Sequence, residues 1–135
     1  MRWVIPTIVV LIVAGCAHSS NLFTADYTYL DNPLQERIDL TFENKSNRSA
    51  CLLPEFWPNR AGKIDNAPGT IYLIVNDTAF QLAAFNTGYC PTCVTKVRPG
   101  EKVEAFIGYT DFGLPDSQFH MPKELVFDLK VYNCY

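Results

Sequence analysis

The sequence predicts an all-β fold, an antiparallel β-sandwich of about seven strands. Three observations carry that prediction. Short apolar runs alternate with polar residues at a period of two, the pattern of a half-buried strand. Proline and glycine, 9 and 7 of the 135 residues, fall in clusters between those runs. No stretch holds the i, i+3, i+4 apolar spacing of an amphipathic helix over several turns. Strands with one apolar face must bury it, and two packed sheets around a single core do so.

Taken in chain order, residues 1–15 stand apart from this fold. Arg2 is their only charge, and an apolar run over residues 4–13 follows, interrupted by Pro6 and Thr7. The run is shorter than the roughly 20 apolar residues a membrane helix needs. It fits the apolar region of an export signal, with the small residues Ala14 and Gly15 before the cut. Residues 16–22 are small and polar and read as a tether, which leaves residues 23–135 as the folded domain.

Within the domain, Ile38, Leu40 and Phe42 alternate with Asp39, Thr41 and Glu43 and predict the first strand. The polar residues 44–49 read as a turn. Residues 50–53 form a short apolar strand stopped by Pro54. Residues 58–69 hold two prolines and two glycines and read as a loop. Residues 71–75 are a continuous apolar run, turned at Asn76-Asp77 into a partner strand over 80–85. Residues 94–97 make a short strand, and Arg98-Pro99-Gly100-Glu101 is a turn. Val103, Ala105, Ile107 and Tyr109 form the inward set of the next strand. Residues 111–122 are a long loop, and Leu125, Phe127, Leu129 and Val131 are the inward set of the last strand.

Charge narrows the function classes. The chain carries a net −3 and no basic stretch, so it has no electrostatic footprint for nucleic acid. Loss of Arg2 with the signal leaves the rest at −4.

Val13-Ala14-Gly15-Cys16 resembles the lipobox of bacterial lipoproteins. The resemblance implies cleavage before Cys16 and acylation of its thiol and amine. Two or three acyl chains anchor a protein stably where one does so marginally. Ala17 follows the cysteine, in place of the aspartate that commonly retains such proteins at the inner membrane. The resemblance therefore implies an outer-membrane anchor, with the domain facing the periplasm. The alternative is an ordinary cut after Ala17. The sequons at Asn44, Asn47 and Asn76 would then be glycan acceptors of a secreted protein. A second resemblance rests on the segment Ile38-Asp39-Leu40-Thr41-Phe42-Glu43-Asn44 and on Pro99-Gly100-Glu101 before an alternating strand. Both are similar to immunoglobulin-like bacterial exported domains. That implies an immunoglobulin-like architecture and no activity, because such sandwiches host unrelated functions.

The cysteines carry the strongest chemical signal. Cys16 is assigned to the lipid, and four remain: Cys51, Cys90, Cys93 and Cys134. An even number in an exported chain predicts two disulfides, and four cysteines allow three pairings. The favoured one joins Cys90 to Cys93 and Cys51 to Cys134. A sharper reading of Cys90-Pro91-Thr92-Cys93 is a redox pair, since its spacing resembles that of thioredoxin-like oxidoreductases. Those enzymes set the first cysteine at a helix N-terminus. Here β-branched residues follow, broken by Pro99-Gly100, so no helix is expected. A four-thiolate zinc site needs two paired spacings, and only one is present.

Of the two histidines, His18 lies in the tether and His120 in the 111–122 loop, neither at metal-ligand spacing. The motifs Gly-x-Ser-x-Gly, His-Glu-x-x-His and Gly-x-Gly-x-x-Gly are absent. No catalytic residue, metal site or cofactor is expected. Aromatic residues crowd the loops, and aromatics on loops often anchor partner contacts. Trp57, Tyr89, Phe112 and Phe119 are the candidate binding residues, with residues 56–58 and 111–122 as the binding face.

The expectation is a membrane-anchored, non-catalytic binding module of the bacterial envelope. It would recognise a protein or an envelope polymer, as inhibitor and immunity lipoproteins do. Two alternatives stay open. One is a structural subunit of an envelope or secretion assembly, which an exposed apolar sheet edge would favour. The other is a thiol-disulfide oxidoreductase using Cys90 and Cys93.

Overall fold

The structure, a computed structural model, describes residues 22–65, 67–86, 88, 90 and 93–134. The expectations for Cys16 and Tyr89 fall outside the described residues. Among the described residues there are ten strands: β1 (Leu22–Thr24), β2 (Thr28–Asn32), β3 (Arg37–Glu43), β4 (Ala50–Leu52), β5 (Tyr72–Val75), β6 (Thr78–Gln81), β7 (Thr95–Val97), β8 (Lys102–Gly108), β9 (Lys123–Val126) and β10 (Lys130–Asn133). They form three antiparallel sheets in the orders β1-β10-β4-β7, β2-β3-β8 and β6-β5-β9. The all-β antiparallel prediction holds, with ten strands in place of about seven.

The difference has two physical causes. β1 and β2 lie in residues 22–32, and β1 takes up Leu22, the last residue assigned to the tether. β2 is an edge strand whose first three residues are exposed, so no buried face imposes a legible alternation. The final alternating segment is one inward-facing run shared by two sheets. Leu125, Phe127, Leu129 and Val131 are all buried. β9 pairs with β5 and β10 pairs with β1 and β4, so the hydrogen-bond partner changes while the period of two continues.

Elsewhere the local chemistry sets most elements as read, with one correction: the strand expected over 80–85 is β6, Thr78–Gln81, because the two-residue turn lets pairing with β5 begin directly at Thr78. Every second residue of β3 is buried, namely Ile38, Leu40 and Phe42. Asn76 and Asp77 have φ of 49° and 62°, the double left-handed pattern of a two-residue hairpin turn, and join β5 to β6. In the turn before β8, Glu101 N–H donates to Arg98 O at 3.0 Å and Gly100 sits at φ 79°. Pro99 then Gly100 is the sequence of a type II turn, which needs a residue free to take positive φ. Buried residues of all three sheets form one core cluster.

Asn44 is the buried polar residue at the centre of two turns. Its Nδ2 donates to Arg48 O at 2.7 Å and to Val97 O at 2.9 Å, and its Oδ1 accepts from Ser46 N–H and Ser46 Oγ. The amide nitrogen of this sequon is therefore enclosed and fully used in the fold. Both disulfides take the favoured pairing, Cys51–Cys134 and Cys90–Cys93. The first ties the end of β10 to β4, where Cys134 N–H also donates to Ser49 O at 3.0 Å. Among the described residues no helix is long and apolar enough to cross a membrane.

Candidate functional site

β7 and β8 follow one another through the 98–101 turn, yet they do not pair. β7 pairs with β4, and β8 pairs with β3. Each is the outermost strand of its sheet, with no strand on its second side among the described residues. Both line a cleft of about 810 Å³ that opens between the two sheet edges. Val103, Glu104, Ala105 and Phe106 give its β8 wall, and Val94 and Thr95 its β7 wall. Leu52, Pro54 and Trp57 are also in its lining, and Arg60 and Lys63 bring positive charge to it.

The loop over residues 54–65 is held by its own hydrogen bonds. Asn59 Oδ1 accepts from Ala61 N–H at 2.9 Å and Lys63 N–H at 3.1 Å, and Asn59 N–H donates to Lys63 O at 2.9 Å. Gly62, at φ 75°, rests on Phe106. A Cβ there would stand 2.5 Å from the Phe106 ring and 2.9 Å from its carbonyl oxygen, so only glycine lets the loop close on β8. Lys63 pairs with the buried carboxylate of Asp111 and lies 4.4 Å above the Phe85 ring. That pair fixes the loop against the 3-10 helix Tyr109–Phe112.

The residues predicted for binding divide. Trp57 borders the cleft but is only 4% exposed, packed edge-on against Phe42 with ring centroids 6.3 Å apart. Phe112 and Phe119 are corrected: they are 3% and 6% exposed and belong to the core. Two short 3-10 helices, Tyr109–Phe112 and Asp116–Gln118, break up the segment expected as a 111–122 loop, the first of them starting before it, and its aromatic side chains turn inward, Phe119 onto Tyr109 at 5.0 Å. Aromatics in a proline- and glycine-rich segment carry no period, so which way they face is not legible from the residues alone. His120 is exposed. Among the described residues no group of three metal-ligating side chains comes together.

The disulfide Cys90–Cys93 sits in the cleft lining, and Cys93 is exposed. The strand β7 follows it, so the helix N-terminus that lowers a thiol pKa in thioredoxin-like sites is replaced by a β-branched strand.

A second cluster has no signal in the sequence. The Lys123 ammonium is enclosed, 3.2 Å from Asp31 Oδ2, 4.5 Å above the Tyr109 ring and hydrogen-bonded to the carbonyls of Phe119 and Met121. The Tyr109 hydroxyl donates to Asp31. Burial first, then the adjoining Asp31, push the Tyr109 hydroxyl well above its ordinary pKa, so it stays protonated and donating. Asp31 lies 78 residues from Tyr109 and 92 from Lys123 in sequence, beyond any local pattern. Every polar member is satisfied, which suits a strut joining β2 to β9.

The chain matches no protein family, no curated protein and no solved structure.

Proposed function

We propose that the chain is a lipid-anchored, non-catalytic binding module of the bacterial envelope that takes its partner in the cleft between β7 and β8. The observation that carries the reading is this cleft: about 810 Å³, bounded by two sheet edges and by a loop locked onto Phe106 and Asp111. Concave, largely pre-formed sites with apolar walls and a few placed charges are where proteins bind ligands. The lipobox at residues 13–16 supports the anchor, and Ala17, in place of an inner-membrane-retaining aspartate, supports an outer-membrane position. Two disulfides fit an oxidising compartment outside the cytoplasm.

A structural subunit that docks by a sheet edge is the second reading. The edge strand β2 and its hairpin favour it, with Leu30 66% and Leu34 94% exposed. In-cell photo-cross-linking separates the two. A photoreactive residue is placed at position 104 in the cleft or at position 34 on the hairpin. Discrete adducts from position 104 alone are the expected result. Adducts from position 34 alone would move the function to the β2 edge, and none from either would remove the binding reading.

A further inference from the structure

The inward positions of β8 are unequally covered. Ile107 is fully buried, whereas Val103 and Ala105, on the same face, are only half-buried and border the cleft. β3, one strand further in, buries all three of its inward residues. Among the described residues no strand pairs this edge; the 54–65 loop touches it at Phe106 through Gly62, and beyond that contact the core is left open at Val103 and Ala105, where one more strand would close it. The charges around it differ in sign from place to place. Glu104 is exposed on the outer face of β8, opposite Thr41. Arg60 is exposed in the cleft lining, and no carboxylate pairs with it among the described residues.

We propose that the cleft receives an extended segment of a partner protein as an added strand on the free edge of β8. The proposal rests on the binding-module reading and names its partner. Strand addition supplies main-chain hydrogen bonds from the edge and specificity from alternate side chains. A strand laid against β8 shares its pleat, so every second side chain lies on the core side of the cleft with Val103 and Ala105, and the others lie on its outer side with Glu104. The inward side chains are therefore apolar, meeting Val103, Ala105 and Leu52. A cation stands beside Glu104, because opposite charges across neighbouring strands attract and like charges repel. A carboxylate lies at the Arg60 end. A second copy of this chain is a poor occupant, since its net charge of −3, or −4 without Arg2, opposes association with itself.

The test uses isotope-labelled full-length protein, purified from membranes in detergent. The probe is a capped synthetic peptide that alternates valine with polar residues, with one lysine at its centre and one aspartate at its end. Titration followed by NMR is expected to shift the Lys102 and Glu104 amides, whose N–H groups face away from β3, and to slow their hydrogen exchange, and to shift the Val103 and Ala105 methyl groups. Glu104→Lys is expected to weaken binding about fivefold, the effect of a cross-strand charge pair worth about 1 kcal/mol. Replacing the peptide lysine by glutamate is expected to restore it. Arg60→Glu should reverse the preference at the peptide end, from aspartate to lysine. Both positions are exposed, so the variants keep the fold. Shifts confined to another surface, no shifts at all, or charge exchanges without effect would overturn the proposal. If the peptide fails while position 104 still cross-links in cells, the added strand falls and the binding module stands; if both fail, both fall.

Discussion

At the scale of single residues, the buried polar groups decide more than the exposed ones. Asn44 uses one side-chain amide to hold Arg48 O, Val97 O and Ser46, and so joins the turn after β3 to the end of β7. Replacing it leaves the buried Val97 carbonyl without that donor, at a cost of about 1–3 kcal/mol for the unsatisfied group. Asn44→Ala is therefore expected to destabilise the domain by about 2 kcal/mol, read as a lower urea midpoint with unchanged slope. A change under about 0.5 kcal/mol, the ordinary size of a surface substitution, would contradict the enclosed role. The sequence placed Asn44 in a polar turn but could not show its burial. The polar segment around it reads as solvent-facing, and its Val97 partner is 53 positions away. The same limit hid Lys123 and Asp31. It also misplaced Phe112 and Phe119, which loop composition put at the surface and core packing drew inside.

Among the elements, alternation was legible wherever a strand buries one face. β3, β4, β5, β7 and β8 begin and end within two residues of the apolar runs that predicted them. It was silent for β2, which covers little, and it merged β9 with β10 because a switch of sheet leaves the inward period intact. The cleft itself was beyond reach, since it arises from two strands that follow in sequence and pair elsewhere. Disulfide spacing was more informative, and it ranks the two bridges. Cys51–Cys134 spans 83 residues and Cys90–Cys93 spans 3. In the chain-entropy account, closing such loops is worth roughly 4.5 and 2 kcal/mol respectively. Thermal unfolding of the paired Cys→Ala variants should show the larger loss for Cys51 with Cys134. An equal or larger loss for Cys90 with Cys93 would mean that the short bridge has a structural role beyond loop closure.

For the whole molecule, the proposed function joins an export signal, a lipid on Cys16 and a disulfide-stapled all-β domain whose β7–β8 cleft would take a partner. The parts depend on one another. Under the proposed function, lipobox processing would place the chain in an oxidising compartment, where both bridges form, and the tether would keep the domain near the membrane. The measurement that tests this most directly is intact and peptide mass spectrometry of the protein purified from membranes, first unreduced and then reduced. The account predicts a chain that begins at Cys16, carries the added mass of acyl groups there, and gains four hydrogens on reduction as two disulfides open. An unacylated chain beginning near His18, or free alkylatable thiols at Cys90 and Cys93 in the unreduced protein, would contradict it.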